Sequence, residues 1–459
     1  MSSTWASRLA GSLEAAFVDV PQAILDRAAL ALLDALACAA GAHDADPVIR
    51  IRRTVAGSGP PVATLLFAGA GASAEDAVLV NGTAIRYLDA NDIFLGRGPG
   101  GHPSDNIPVA LAVGEQSGAS GRDVLAAIAV GYELTWRLRN DVYRALPRGS
   151  DWHEVSISAT VASAMAALLY GANQETLRAA LCIGAAKGYT LKETRRGEIS
   201  MLKAVANAMV ARDGVLAARL AVSGITGPPR VFEGESGLVA TLGGEPDEQM
   251  VAALCAPPDW VIQGVSIKPF PALGTSQAAI SAAVGVFRQH GPLDPAEVTG
   301  IRVSLPDTPW AHDYLALAER RAPATRETAD HSIHFLVALA LRDGDVTPAQ
   351  YAAQRWRDAD VLALIDKMSF VVDRDVLGDA DDAFPAAIEV VLRGGTKLER
   401  RVVDTPGSPR RPWGREEVLD KFARLDRTGG SDRSRRAIAD ATLGLGSAPD
   451  LGELMGLVA

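Results

Sequence analysis

The chain has 459 residues, of which 48% are hydrophobic, and its formal net charge is −10. This length supports two or three domains around a large buried core. Nucleic acid and anionic membranes are not expected as partners, because both favour a basic surface, so any anionic ligand must meet a local cationic pocket.

Two features of the sequence indicate a cytoplasmic protein. The N-terminus lacks the basic start and long apolar run of a secretory leader. The three cysteines, Cys38, Cys182 and Cys255, are far apart and form no CxxC pair, so neither a disulfide framework nor a zinc site is indicated. We expect no metal ion.

Apolar residues recur at helical spacing through most of the first 265 residues. The predicted helices cover residues 28–40, 76–88, 107–116, 122–139, 174–186 and 204–222. The uncharged segment 155–174 could be mistaken for a membrane span, but its many small residues favour a helix packed inside a protein. Residues 1–265 are therefore predicted to form a large, alanine-rich helical domain.

The pattern changes after Pro257 and Pro258. Apolar and polar residues alternate over 298–305 and over 387–403, and Gly394-Gly395 interrupts the second run, which predicts a β-hairpin. Helices are predicted at 276–289, 332–341 and 415–424, a loose linker at 428–434, and one or two short helices in the last 25 or so residues. Residues 266–404 are thus predicted to form an α+β domain.

A glycine-rich loop at residues 96–101 satisfies GxGxxG, but an acidic stretch precedes it where a nucleotide-binding loop needs an apolar strand. Asp89 and Asp92 stand before the loop, Arg97 within it and His102 after it. Such a group can move protons and hold a carboxylate. The alternative is a surface loop with an aspartate as helix cap, and the residues alone leave both interpretations open.

Three further residues stand out by their surroundings. His153 precedes the uncharged segment, where it is either a hydrogen-bonded core residue or part of a site. Only seven of the 45 cationic side chains are lysines. Two of these, Lys203 and Lys268, lie in apolar stretches. They either extend to solvent or act as desolvated charges for an anion, and spacing does not decide between these.

Several segments resemble the MmgE/PrpD family, which includes 2-methylcitrate dehydratase, cis-aconitate decarboxylase and iminodisuccinate epimerase. They are Leu88-Asp89-Ala90-Asn91-Asp92, His102-Pro103-Ser104, Gly131-Tyr132-Glu133-Leu134, Ser200-Met201-Leu202-Lys203-Ala204, Lys268-Pro269-Phe270-Pro271, Asp330-His331-Ser332-Ile333 and Lys421-Phe422. The resemblance implies an α+β fold with a helical domain of residues 1–265, completed by 405–459, and a smaller α+β lid of residues 266–404. It also implies a homodimer and an interdomain cleft that binds a small polycarboxylate without metal or organic cofactor.

The resemblance assigns roles to residues of this chain. The catalytic positions correspond to Asp92, His102 and His153, and the anion-binding lysines to Lys203 and Lys268. To these we add Arg97 of the glycine-rich loop as a further carboxylate ligand. The chain departs from the family in two places. The segment with Thr275 has no histidine where many relatives have one, and His334 stands beside a position where relatives often have tyrosine. Both positions are expected to contact substrate, and the changes favour a carboxylate other than methylcitrate.

The implied chemistry is removal of a proton α to a carboxylate, which needs a positioned base and fixed cations where charge develops. Histidine suits proton transfer near neutral pH in either direction. We therefore expect a hydro-lyase that dehydrates a small hydroxy-di- or tricarboxylate. A decarboxylase of a cis-aconitate-like acid and an isomerase or epimerase share this first step, and an inactive helical scaffold is the alternative outside enzymology.

Overall fold

The computed structural model describes residues 4–95, 101–148, 152–376 and 384–459. The first part of the chain forms helices α1 (Trp5–Val18), α2 (Gln22–Ala40), α3 (Asp46–Val55), α4 (Ala74–Tyr87), α5 (Ile107–Ser117), α6 (Gly121–Arg137), α7 (Ser158–Leu169), α8 (Gln174–Lys187), α9 (Leu202–Val222), α10 (Leu238–Thr241) and α11 (Glu248–Leu254), with a short hairpin of β1 (Ala63–Leu65) and β2 (Ala70–Ala72). The later part forms α12 (Gln277–His290), β3 (Val298–Pro306), α13 (Pro309–Leu315), α14 (Arg326–Ala329), α15 (Ile333–Asp343), α16 (Pro348–Ala352), α17 (Ala359–Ile365), β4 (Met368–Asp373), β5 (Ala386–Leu392), β6 (Lys397–Val402), α18 (Arg415–Leu425), α19 (Asp432–Leu443) and α20 (Gly452–Val458).

Small residues allow helix α7 to pack closely inside the helical core. Every residue of α7 is buried, and it contacts α8 and α9. A Cβ added at Gly184 of α8 would lie 2.5 Å from Ser163 Oγ, and one added at Gly214 of α9 would lie 2.6 Å from the Ala159 carbonyl. The prediction of a buried helix here is confirmed, and among the described residues no helix is both long and apolar enough to cross a bilayer.

The second core is built on a four-stranded sheet of order β4-β3-β5-β6. Strand β3 pairs parallel with β4 and antiparallel with β5, and the predicted hairpin joins β5 to β6. Gly394 and Gly395 supply its turn at φ values of 98° and 87°, a region that favours glycine. Helix α12 packs on β5 and β6 and against α15.

The buried apolar residues divide into two main cores, which confirms the α+β class with a large helical domain and a smaller α+β one. One core draws residues from Trp5 to Ile267 and again from Val418 to Val458, and the other from Phe270 to Leu398. Helix α18 returns to pack on α2 of the first core. The boundaries at residues 265 and 404 stay predictions.

The predicted linker at residues 428–434 is wrong in its second half. Helix α19 begins at Asp432, and Ser431 caps it by accepting a hydrogen bond from the Ser434 N–H at 3.1 Å. A serine before an acidic first turn is an N-terminal signal, which the polar composition of this stretch obscured. The three cysteines are unpaired, as predicted.

Candidate active site

A cavity of about 630 Å³ lies between the two cores. Both parts of the chain line it, with residues Arg86, Asp89, Ile93, Gly101, His102, Arg139, Tyr143, Arg144, Leu146, Pro147, Trp152, His153, Glu154, Ile157, Lys192, Arg195, Arg196, Leu273, Gly274, Thr275, Trp310, Asp313, Tyr314, Leu317, Arg320 and His331. Among these described residues, seven side chains are arginine or lysine and three are carboxylates. The cavity is therefore cationic although the chain is acidic.

Asp89 is the carboxylate at the buried end of the cavity. It follows α4 with a backbone φ of 53°, a left-handed value that is uncommon outside glycine. Its Oδ1 lies 2.5 Å from Lys268 Nζ and 2.9 Å from Arg86 Nη1, and its Oδ2 lies 3.0 Å from Lys203 Nζ. Burial alone would raise the pKa of Asp89, but these three cations hold it well below its usual range.

Asp330 and His331 form a carboxylate and imidazole pair beside Asp89. His331 Nδ1 lies 2.5 Å from Asp330 Oδ1, and its Nε2 lies 3.6 Å from Asp89 Oδ2. Lys203 Nζ donates to both oxygens of Asp330 at 2.7 Å. Burial favours the neutral form of Asp330, but Lys203 and His331 lower its pKa to about 2, whereas burial and Lys203 lower the pKa of His331 to about 4. The carboxylate is therefore charged and the imidazole neutral at pH 7.

His102 lies on the other side of Asp89. Its Nδ1 donates to the Asp92 carbonyl at 2.6 Å, which leaves Nε2 as the unprotonated nitrogen, 3.9 Å from Asp89 Oδ1. Burial and the nearby charges of Arg86 and Lys268 hold the pKa of His102 well below that of a free histidine. The ring can accept a proton at Nε2.

The carboxylate of Asp92 is not among the described groups that line the cavity. It accepts hydrogen bonds from Ser104 Oγ at 2.5 Å and Tyr132 OH at 2.6 Å, and burial raises its pKa to about 6. Since Ser104 follows His102 by two residues and the Asp92 carbonyl binds His102 itself, Asp92 fixes the turn that carries the imidazole.

His153 lines the cavity from the start of a 3-10 turn. Arg195 Nε donates to its Nε2 at 2.8 Å, and the Val155 N–H faces its Nδ1 at 3.2 Å. The Arg195 donor opposes protonation of Nε2, and burial, with Arg195 and Arg86, lowers the pKa of His153 to about 4. The structure thus brings His102 and His153 to one cavity.

The remaining predicted residues fall into three groups. Thr275 lines the cavity, and Lys203 and Lys268 lie directly behind Asp89, where their ammonium groups bind protein carboxylates. His334 packs on Phe370, with ring centroids 4.3 Å apart, and is not among the described lining residues. Arg97 lies outside the residues that the structure describes.

Asp89, Asp330 and His331 offer ligand atoms within 4.8 Å of one another, as a metal site would. The Lys203 ammonium lies 2.7 Å from both oxygens of Asp330 and 3.0 Å from Asp89 Oδ2. Because this cation already binds both carboxylates, Lys203, Asp89 and Asp330 form a buried ion-pair network.

A third buried lysine supports the loop that carries Asp89. Lys421 of α18 donates to Asp34 Oδ1 at 2.5 Å and to the Ala90 carbonyl at 2.7 Å, and both side chains are about 1% exposed. The left-handed backbone at Asp89 needs such support, because strained conformations persist only where their surroundings fix them. We infer that Lys421 positions Asp89.

Lys421→Met should lower the free energy of unfolding by about 3–5 kcal/mol, because it leaves Asp34 buried without its partner. The double variant Lys421→Met/Asp34→Leu removes both charges and should recover most of that stability. It should nevertheless keep a reduced kcat, because the Ala90 carbonyl still lacks its donor. Denaturant unfolding and steady-state kinetics of the two variants test this, and a double variant with the kcat of the unmodified protein would contradict the positioning role.

The fold is a large helical domain and a smaller α+β domain, with a cavity lined by imidazoles and cations between the two cores. The chain belongs to the MmgE/PrpD family: residues 12–250 match the MmgE/PrpD N-terminal domain and residues 270–445 the MmgE/PrpD C-terminal domain. The resemblance inferred from the motifs is confirmed.

Curated relatives cover most of the chain at low identity. Cis-aconitate decarboxylase of Homo sapiens is 27% identical over 75% of this chain and 71% of its own length. The enzyme of the same name from Aspergillus terreus is 22% identical over 99% and 94%, and 2-methylcitrate dehydratase of Escherichia coli K12 is 26% identical over 74% and 73%. These names denote lyases, so the comparisons support a lyase at the level of the family.

The motifs missed part of the site. Asp89 and the Asp330-His331 pair lie in segments that carried the family resemblance, so the signal was present in the sequence. The arginines of the cavity, Arg86, Arg139 and Arg195, had no such signal, because the chain has 38 arginines in no distinctive spacing.

Proposed function

We propose that the protein is a lyase that needs no cofactor, removes the proton α to a carboxylate of a small hydroxy-di- or tricarboxylate, and expels water. One observation carries the proposal: two neutral imidazoles, His102 and His331, approach the same buried carboxylate, Asp89, at the end of a cationic cavity. Neutral imidazoles supply bases, and the cations stabilise the charge that forms.

We propose His331 as the base. Its Nδ1 faces the ionised Asp330, so the proton of the neutral ring belongs on Nδ1 and the lone pair on Nε2, which faces Asp89. A carboxylate in this position holds the ring in one tautomer and stabilises the imidazolium that forms when the base takes a proton. The imidazolium of His331 would then return this proton to the leaving hydroxide, so that water departs and the base is restored.

Unpaired donors support carboxylate binding in the cavity. Among the described residues, Arg195 Nη1, Arg320 Nη1 and Thr275 Oγ1 are buried without a hydrogen-bond partner, although all three side chains line the cavity. A buried donor without a partner is costly, and a bound carboxylate would relieve that cost. Arginine also suits carboxylates, because its planar group binds both oxygens.

The relatives named cis-aconitate decarboxylase favour a second candidate reaction, loss of carbon dioxide from an unsaturated tricarboxylate. The same cations would hold the acid, and the same imidazole would exchange a proton with carbon. An isomerase would instead reprotonate the same carbon, and no group would leave.

Incubation of the purified protein with a panel of di- and tricarboxylates in deuterated water, read by proton NMR, separates these reactions. New vinyl signals at the expense of the saturated hydroxy acid indicate dehydration, loss of a carboxylate indicates decarboxylation, and α-deuteration without net product indicates an isomerase. No reaction and no exchange across the panel would contradict the proposal and favour the scaffold.

The pH dependence follows from the buried imidazoles. We expect kcat/KM to fall below an apparent pKa of about 4, because burial lowers the pKa of His331 to that value and a base must be neutral to act. It should fall again above about pH 8, because burial lowers the pKa of Lys268 to about 8 and its charge is then lost beside Asp89. An acid limb near 6.5, the value of an ordinary histidine, would contradict His331 as a buried base.

We also propose a homodimer, and a cytoplasmic location stays a prediction. Helix α9 carries exposed Met209, Leu216 and Leu220, with Val222 and Ile225 beyond them. This spacing puts the first three on one face of the helix, as for a surface that a second copy covers. Light scattering should give a dimer that Leu216→Lys converts to monomer, and an unmodified protein that is monomeric would contradict the proposal.

A further inference from the structure

The cavity has two chemically different parts. Its most buried lining includes Asp89 and the charged groups around it, whereas a separate set of lining side chains is apolar. Tyr143, Leu146 and Trp152 come from the helical core, and Trp310 and Leu317 from the lid. Trp152, Trp310 and Leu317 are half-buried, whereas Asp89 is buried.

Neighbouring rings hold the two tryptophans in place. Trp310 stacks on Tyr314, with centroids 5.0 Å apart, and meets Phe384 edge-on at 4.9 Å. Trp152 packs on Tyr189 at 5.1 Å. Because these contacts hold both rings in place, the apolar surface is formed before a ligand binds, which reduces the entropy lost on binding.

The size of the cavity exceeds what a short polycarboxylate needs. A volume of about 630 Å³ lies within the roughly 300–1,000 Å³ range of sites that bury drug-sized ligands. An acid whose carboxylates bind the arginines and Thr275 at the buried end would leave the tryptophan walls uncovered.

We infer that the substrate carries, besides its carboxylates, an extended apolar substituent that lies between Trp152 and Trp310. This inference rests on the proposed function for the polar end of the ligand. The substituent contacts Trp152 of the helical core and Trp310 of the α+β core. These apolar walls select for the length of the substituent, while the cations select for the charge of the acid.

The test is a homologous series of citrates that carry no substituent, a methyl, a butyl or a hexyl group, with dissociation constants measured by calorimetry. Burial of one methylene is worth about 0.8 kcal/mol, so affinity should rise roughly fourfold per methylene until the walls are covered. Affinity that stays flat or falls beyond the methyl compound would overturn the inference.

Two variants locate the effect. Trp310→Ala should cut the gain per methylene to less than about twofold, and Trp310→Phe, which keeps an aromatic ring on Tyr314, should retain most of it. Leu362→Ala, exposed on α17 away from the described cavity lining, is the control for the lid and should keep the full gain. An equal gain per methylene in Trp310→Ala and the unmodified protein would remove Trp310 from the binding surface.

Calorimetry separates this inference from the proposed reaction, because it needs no turnover. A gain with chain length in a protein that converts none of the acids would support the apolar surface and refute the lyase. Turnover of the unsubstituted acids without a gain in affinity with chain length would support the lyase and refute the apolar surface.

Discussion

Lys203→Met should abolish measurable turnover and lower the free energy of unfolding by about 3–5 kcal/mol. The ammonium is 2% exposed and lies within 3.0 Å of both Asp89 and Asp330. Methionine fills a similar volume but leaves two buried carboxylates short of a cation, and one of them would take up a proton. The Asp330 and His331 pair would then lose the charge that orients the base.

Denaturant unfolding and kcat/KM measure the two effects. Lys187→Met is the matched control, because Lys187 ends helix α8 in an exposed position and its loss should change stability by less than about 0.5 kcal/mol. A Lys203→Met protein with ordinary stability and activity would show that the network around Asp89 is dispensable.

His331→Gln should lower kcat by about 10²–10⁴-fold, the usual contribution of a general base, and change KM little. Glutamine can still donate to Asp330 but cannot accept a proton near neutral pH. The fold should persist, because the backbone here is held separately: the Ile333 N–H donates to Tyr314 OH at 2.6 Å, and Tyr314 OH donates to the His331 carbonyl at 3.0 Å.

Two other histidines of the lid serve as comparisons. His312→Gln changes an exposed ring that contacts Asp307 and should leave kcat unaltered. His334→Gln distinguishes the sequence prediction from the geometry, since its ring packs on Phe370 and should affect kcat less than threefold, a factor worth about 0.65 kcal/mol. A decrease in kcat in His334→Gln as large as that in His331→Gln would show that His334 acts in the site.

Periodicity predicted the fold where the apolar pattern was strong. The helix predicted at 107–116 is α5 (Ile107–Ser117), and the hairpin predicted over 387–403 is β5 with β6. Strand β4 (Met368–Asp373) was missed, because it pairs in parallel with β3 across some 60 residues and carries no turn signal. Helix α3 was missed because only three of its ten residues are buried, so its apolar pattern is weak.

For the site, the sequence predicted which residue types cluster around the glycine-rich loop, but not which of them face the cavity. Asp89 and Asp92 are three positions apart, and the sequence does not show which faces the cavity. The left-handed φ of 53° at Asp89 accompanies its approach to Arg86, whereas Asp92 binds Ser104 and Tyr132. Backbone conformation, which a single sequence encodes weakly, made that choice.

The lysines show the same limit. Lys203, Lys268 and Lys421 are buried, and each binds a carboxylate more than 120 residues away. For Lys203 and Lys268 the sequence left open whether they extend to solvent or are desolvated, and it gave no indication for Lys421. It could not predict that protein carboxylates, rather than substrate, are the groups within reach of their ammonium ions.

Exchange of substrate protons with deuterated water tests the central claim most directly. Among the acids of the panel, we expect at least one whose α-proton the unmodified protein exchanges or whose product it deuterates, at a rate at least about a hundredfold lower in folded His331→Gln. Exchange at equal rates in the two proteins, or none in either with any acid, would contradict proton transfer in the cavity at Asp89.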